Sequence, residues 1–311
     1  MNALTFVPGR RPPKLRRVTI EVTTWCNLKC PGCLRTILDE QGRWLNRHMP
    51  KDTFARILDN LPPSELGILQ GIGEPTLHPD YAELCRIATR SGKFDALYMN
   101  TNALARPSEL HVELKEAGLT GFYVSVDSLT PEVAARVRAG TDIGKLARRL
   151  RELRDLGLPV AVALVVSRAN LHDVATTLRG LRDLGVTSVN VGRLIGFEGG
   201  LEPLDRTERR MLAGLLDDVR RDCPDMPISY FDDPERIAPY CVAPWLDPAV
   251  NVDGYLTPCC VNFDPSVFGG IDLARVPFEE AWNSAAVQDF LHAYIAEKPS
   301  FCNNCIADNR D

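Results

Sequence analysis

The chain has 311 residues, enough for one large α/β domain with an appendage or for two domains, and either can bury a substantial core. Its net charge of −5 gives no whole-protein field for nucleic acid or an anionic membrane, and no apolar run is long enough to span a bilayer, so neither partner is expected. The first residues lack the apolar centre of a signal peptide, which places the protein in the cytoplasm, where ten cysteines read as metal ligands and buried thiols rather than a disulfide framework.

Residues 1–17 form an N-terminal arm whose Arg10, Arg11, Lys14, Arg16 and Arg17 read as a solvated basic segment. Val18 to Thr24 alternates and is rich in β-branched residues, a first strand that delivers Cys26 from its C-terminal end. Lys51 to Leu61 has helical spacing. Further strands are predicted over 67–71, 96–100, 121–126, 159–166 and 188–194, with helices over 79–91, 107–117, 146–156 and 171–184. Strands alternating with helices imply right-handed crossovers and a parallel sheet over residues 18–200. Six units are too few for a closed eight-unit barrel, so the fold class is α/β, a partial (β/α)6 barrel. Residues 201–233 read as a linker helix, and 234–311 as a small hairpin-plus-helix domain in which the remaining cysteines cluster.

In such sheets ligands gather at the C-terminal strand ends. Polar residues concentrate there: Cys26, the Gly71–Pro75 turn, Thr101-Asn102, Asp127, and Ser167 to Asn170. Glu21, Tyr98, Asn100 and Arg193 are further polar strand residues, but parity alone does not say which of them face a substrate.

The stretch Cys26-Asn27-Leu28-Lys29-Cys30-Pro31-Gly32-Cys33 packs three thiols into eight residues. Three thiolates can wrap one metal centre, and a cubane held through three of its four irons keeps one iron open to another ligand. Zinc is the alternative, but it asks for a fourth ligand, and the next candidate, His48, lies beyond a helical-looking segment. In the C-terminal region Asp253-Gly254 signals a hairpin that folds the Cys259-Cys260 pair back towards Cys241, and Cys302 and Cys305 follow a helix over 278–296. Four thiolates then surround one centre, an iron–sulfur cluster or structural zinc. Cys85 and Cys223 read as packing residues.

The cysteine spacing resembles the signature of the radical S-adenosylmethionine (SAM) enzymes. The resemblance implies that the open iron binds the amino and carboxylate groups of SAM, and that an electron from the cluster cleaves it to methionine and a deoxyadenosyl radical. Where the family usually has an aromatic residue before the third cysteine, this chain has Gly32. Gly71-Ile72-Gly73-Glu74-Pro75 resembles the family's glycine-glycine-glutamate-proline motif, with Ile72 replacing a glycine. By the same resemblance Gly73 and Glu74 meet the SAM ammonium group, Ser125 and Asp127 lie near the ribose, and Arg138 meets the methionine carboxylate. Ser167, Asn170 and Val191 complete the expected SAM residues. The C-terminal region resembles the twitch domain, the shortened SPASM form, with Cys241, Cys259, Cys302 and Cys305 as ligands. The implied cofactors are SAM and two 4Fe-4S clusters, one radical-generating and one auxiliary, served by an external electron donor such as flavodoxin or ferredoxin.

Cys260 points to the opposite face of the hairpin from Cys259 by the pleat, and would be a hydrogen-atom donor if that face looks into the barrel mouth. The function expected on this basis is hydrogen abstraction from a carbon of a sugar or aminocyclitol in antibiotic biosynthesis, giving epimerisation with Cys260 as donor. Three alternatives stand beside it. They are dehydrogenation of a secondary alcohol with the auxiliary cluster as electron acceptor, modification of a ribosomal peptide, and a non-catalytic redox sensor. Peptide modifiers commonly carry an added recognition domain, whereas here only a short arm precedes the first strand. A sensor has no need of polar residues gathered at strand ends.

Overall fold

Seven apolar runs form parallel strands: β1 (Leu15–Ile20), β2 (Ser64–Leu69), β3 (Phe94–Thr101), β4 (Gly121–Ser125), β5 (Val160–Val166), β6 (Ser188–Arg193) and β7 (Ile228–Tyr230). Each pairs with the next in chain order, in a computed structural model that describes residues 14–230, 241–302 and 305. Two further strands, β8 (Ala249–Val250) and β9 (Leu256–Thr257), form an antiparallel hairpin, and β8 runs parallel to β1. The sheet order is therefore β7-β6-β5-β4-β3-β2-β1-β8-β9, open at both ends. The C-terminal hairpin extends the barrel sheet.

The helices in chain order are α1 (Leu34–Glu40), α2 (Lys51–Asn60), α3 (Tyr81–Arg90), α4 (Glu109–Glu116), α5 (Pro131–Val137), α6 (Ile143–Asp155), α7 (Val174–Asp183), α8 (Arg206–Asp222), α9 (Ala243–Leu246), α10 (Phe278–Trp282) and α11 (Ala285–Ala296). Their apolar stripes explain their placement. In α2 the buried Phe54, Ile57 and Leu58, and in α8 Leu212, Leu216 and Val219, recur at helical spacing. The expected 278–296 helix is broken in two at Asn283-Ser284, where the Ser284 hydroxyl accepts the Val287 N–H at 3.4 Å and caps α11. The C-terminal domain has its own aromatic core of Trp245, Phe268, Phe278, Trp282 and Tyr294, each at most 1% exposed.

Two boundaries differ from expectation. The basic arm is not simply solvated: β1 begins at Leu15, which is fully buried, and β8 brings buried Asp247 beneath the arginines. Arg16 Nε donates to Asp247 Oδ1 at 2.8 Å, Arg17 Nη2 lies 3.3 Å from Oδ2, and Lys14 pairs with Asp95. Arg10 and Arg11 lie outside the described residues. The presumed linker helix α8 is a barrel helix, started by an Asp205/Glu208 capping box and leading into the seventh strand, β7. Among the described residues no helix is long and apolar enough to cross a membrane.

Candidate active site

The loop after β1 carries the three thiols and is tied down on all sides. The Thr24 carbonyl accepts from Arg35 Nε at 3.1 Å and Trp44 Nε1 at 3.2 Å, and the Cys33 N–H donates to the Cys30 carbonyl at 3.0 Å as α1 begins. Thr23 Oγ1 and His48 Nδ1 are 2.9 Å apart, so the histidine secures the loop from outside. Cys26, Cys30 and Cys33 line a cavity of about 250 Å³ with the Gly71–Glu74 turn, Ser125, Asp127, Arg138 and Ser167. This cavity shares Gly32, Gln70, Asn100, Val165 and Leu194 with a second, of about 500 Å³, in the barrel lumen. Together they reach the size of ordinary cofactor and substrate sites.

The donor set fits an iron–sulfur cluster. Among the described residues no three His, Cys, Asp or Glu side chains converge on the scale of a single metal ion. Thiols that bind different irons of a cluster need not converge on one point. Burial pushes the Cys30 thiol up to about 11, with the Arg138 guanidinium acting against that rise, and burial likewise raises Cys26. Metal binding displaces such protons.

The glycine-rich turn is shaped by close backbone contact. A Cβ on Gly73 would stand 2.5 Å from the Thr23 carbonyl oxygen and 2.6 Å from that of Trp25, and the Glu74 N–H donates to the Trp25 carbonyl at 2.7 Å. The turn is thus clamped to the cysteine loop. Glu74 is buried, and its Oε1 accepts from Thr76 N, Thr76 Oγ1 and Thr101 Oγ1 at 3.2, 2.7 and 2.8 Å, while Oε2 accepts from Asn102 N at 2.8 Å. Burial raises its pKa and these donors oppose the rise. Its carboxylate fixes the turn, with only Oε2 retaining spare acceptor capacity for a ligand.

Asp127 accepts the Val165 N–H on Oδ1 at 2.8 Å and Arg138 Nη1 on Oδ2 at 2.9 Å. Burial opposes the arginine's charge, but Asp127 and the Cys30 thiol together raise its pKa. The rest of the guanidinium lines the cavity. Ser125 and Ser167 also reach the wall. Two expected SAM residues do not. Asn170 is 0% exposed: its Nδ2 donates to the Asp127 and Val165 carbonyls at 2.8 and 2.9 Å and its Oδ1 accepts the Ser167 N–H at 2.8 Å, so it joins the ends of β4 and β5. Val191 lies in the hydrophobic core, because alternation along β6 sends Asn190 and Gly192 to the lumen instead.

The lumen wall is largely apolar, and several of the polar atoms set in it are unsatisfied. Arg17 Nε, Thr19 Oγ1, Gln70 Oε1 and Asn100 Oδ1 are buried in its wall without a hydrogen-bond partner among the described residues. Of the four strand residues left open, Asn100 and Arg193 line the lumen, Tyr98 packs 5.2 Å from the Tyr123 ring, and Glu21 lies between domains. Gln70 and Asn190 were not singled out, and Arg17 was expected in the solvated arm; alternation of polar and apolar residues along each strand is the signal that marks them. Cys260 forms the far wall, 3.9 Å from Arg17 Nη2.

The other C-terminal thiols sit apart from this lumen. The Cys259 thiol is pushed up to about 12 by burial, then by the neighbouring Cys260 and by Cys305, despite backbone N–H groups acting the other way. The Ala243 N–H points at Cys241 Sγ from 3.4 Å, and the Cys305 N–H donates to the Cys302 carbonyl at 2.9 Å.

The model of the Radical SAM superfamily matches residues 20–192, from the end of β1 to β6. The chain belongs to the radical SAM superfamily. Residues 241–306 match an iron–sulfur cluster-binding domain, SPASM, so SAM and a 4Fe-4S cluster belong to the barrel and auxiliary iron–sulfur to the C-terminal domain. Among curated relatives, the tungsten-containing aldehyde ferredoxin oxidoreductase cofactor-modifying protein of Pyrococcus furiosus is 29% identical over 58% of this chain and 52% of its own length. The PqqA peptide cyclase of Rhodopseudomonas palustris is 34% identical over 50% of this chain and 40% of its own. The antilisterial bacteriocin subtilosin biosynthesis protein AlbA of Bacillus subtilis is 25% identical over 99% and 67%. The chain thus spans about half the length of the first two. In fold it is similar to Streptococcus suis SuiB bound to the precursor peptide SuiA, with a TM-score of 0.73 and 14% identity over 95% of this chain and 70% of that one.

These radical SAM relatives correct the expected substrate. Several are named for peptide work, which overturns the expectation of a sugar or aminocyclitol partner and of its epimerisation through Cys260. The short arm before the first strand spoke against a peptide, but arm length does not report what the lumen holds.

Proposed function

We propose that this chain is a radical SAM enzyme that modifies a peptide. Cys26, Cys30 and Cys33 hold the radical-generating cluster, and Cys241, Cys259, Cys302 and Cys305 hold the auxiliary one. The observation that carries the reading is the continuity between the three-thiol cavity and a lumen whose polar atoms await partners, in a chain whose relatives include peptide modifiers. When bound, cluster and SAM together supply a radical able to take a hydrogen atom from an unactivated carbon. The chain's own residues orient the participants: Arg138, held by Asp127, presents a cation to a carboxylate, and Gln70 and Asn100 stand where lumen and SAM cavity meet. Backbone amides of a peptide offer both the donors and the acceptors that Gln70 Oε1, Asn100 Oδ1, Thr19 Oγ1 and Arg17 Nε lack among the described residues.

The test is anaerobic incubation of the reconstituted full chain with SAM, dithionite and synthetic peptides encoded by short reading frames flanking its gene. A peptide whose mass changes in step with deoxyadenosine release is the expected result. Cleavage of SAM that no such peptide stimulates, but that a small non-peptide molecule does, would overturn the proposal.

A further inference from the structure

In the sheet β1 lies between β2 and β8, so the residue that follows it, Glu21, sits between the 71–74 turn of the barrel and the 251–254 turn of the C-terminal hairpin. It is 3% exposed. One carboxylate oxygen accepts the Ile72 N–H at 3.0 Å and the other accepts the Val252 N–H at 3.1 Å. Gly71 makes this possible, since a Cβ there would stand 2.1 Å from Glu21 Cγ. One buried group thus grips the turn that lines the SAM cavity and the turn that precedes Cys259.

The grip is conditional. Burial pushes the Glu21 carboxyl up to about 7, the two N–H groups hold it down, and nearby Asp253, itself paired with Arg47, raises it slightly. Arg43 and Asp264 are the other charged groups around the groove that Glu21 borders. Each N–H that reaches the carboxylate stabilises its charged form, and the charged form is the stronger acceptor for the other N–H. The two turns therefore favour each other's ordered positions, and such linkage is reciprocal.

We propose that Glu21 is a positioning residue that couples the SAM-binding turn to the auxiliary-domain hairpin, so that SAM, by ordering residues 71–74, tightens residues 251–254. The inference rests on family membership and on no particular substrate. Hydrogen exchange of the reconstituted full chain, with and without SAM and without turnover, tests it. In wild type, SAM slows exchange over both 71–75 and 250–254. In Glu21→Ala the protection at 71–75 remains, that at 250–254 is lost, and SAM affinity falls on the order of fivefold or more. Glu21→Gln keeps the side chain's shape but turns an NH2 towards one backbone donor, so it breaks the bridge on one side and loses the remote protection too. A merely structural glutamate would quicken exchange at both turns regardless of SAM. The proposal is overturned if SAM leaves 250–254 unprotected in wild type, or protects it equally in the variants.

Discussion

The two thiol sites are built in opposite ways. Cys26, Cys30 and Cys33 occupy one loop, fixed by contacts to residues within about two dozen positions of themselves, such as Arg35, Trp44 and His48. Cys241, Cys259, Cys302 and Cys305 come from three separate segments, positioned by the pairing of β8 with β1 and by a core in which Trp245 packs edge-on against Tyr294, 5.7 Å apart. The first site lies within one loop, with the turn after β2 clamped against it by the Glu74 N–H. The second depends on the tertiary core of its own small domain, so metal binding and folding are expected to be linked there and nearly independent at the first.

The largest effects should divide the two sites most sharply. Replacing Cys26, Cys30 and Cys33 together by Ala abolishes SAM cleavage while leaving the thermal melt of the chain little changed, as circular dichroism would show. Trp245→Ala should cost about 3–5 kcal/mol and release the auxiliary iron while the radical-generating cluster persists. SAM cleavage then survives and product formation does not, a split that deoxyadenosine assays and peptide mass spectrometry would read.

Within the barrel site, Asp127→Asn leaves Arg138 without its counter-charge and the Val165 N–H with a weaker acceptor. KM for SAM should rise roughly tenfold or more, about 1.4 kcal/mol per factor of ten, with a smaller effect on kcat. At the junction of the two sites, Glu21 has a folded-state pKa of about 7 against an ordinary 4.5. The folded chain therefore binds this proton more tightly than the unfolded one, and stability from this group is full below about 4.5 and lost as pH rises through about 7. Relative to Glu21→Gln, wild type should lose stability between pH 5 and 8, by roughly 1.4 kcal/mol for each pKa unit of the shift, in denaturant titrations.

The smallest effect lies far from both sites. His111 is buried against Phe122, its ring nitrogens unbonded among the described residues, and burial, aided by Arg149, lowers its pKa to about 4. This depressed value means stability is present above about 6.5 and lost as pH falls towards about 4. His111→Leu should stabilise the chain by about 1 kcal/mol at neutral pH, and by more at pH 5.

What the sequence revealed follows the same division. The βα alternation and the cysteine loop were legible because their signals are local: periodicity and a tight thiol spacing. Gly73 was legible through resemblance, and its reason, the carbonyls of Thr23 and Trp25 pressing on it, lies in tertiary contact. β7, at three residues, is too short to show periodicity. The pairing of Arg16 and Arg17 with Asp247 joins positions more than two hundred residues apart. Asn170 and Val191 were misplaced because a position near a strand end does not say which face a side chain takes. The substrate class was not legible because a short segment before the first strand says nothing of what a lumen built from several strands will hold; the names of the relatives corrected it.

The most direct test of two separate clusters is anaerobic reconstitution with iron and sulfide, followed by iron counting and electron paramagnetic resonance of wild type beside the Cys26/Cys30/Cys33 triple-alanine variant. Two four-iron clusters predict about eight irons in wild type and about four in the variant, with only the wild-type spectrum shifting on addition of SAM. About four irons in wild type and none in the variant would contradict the account, leaving the C-terminal thiols without a cluster.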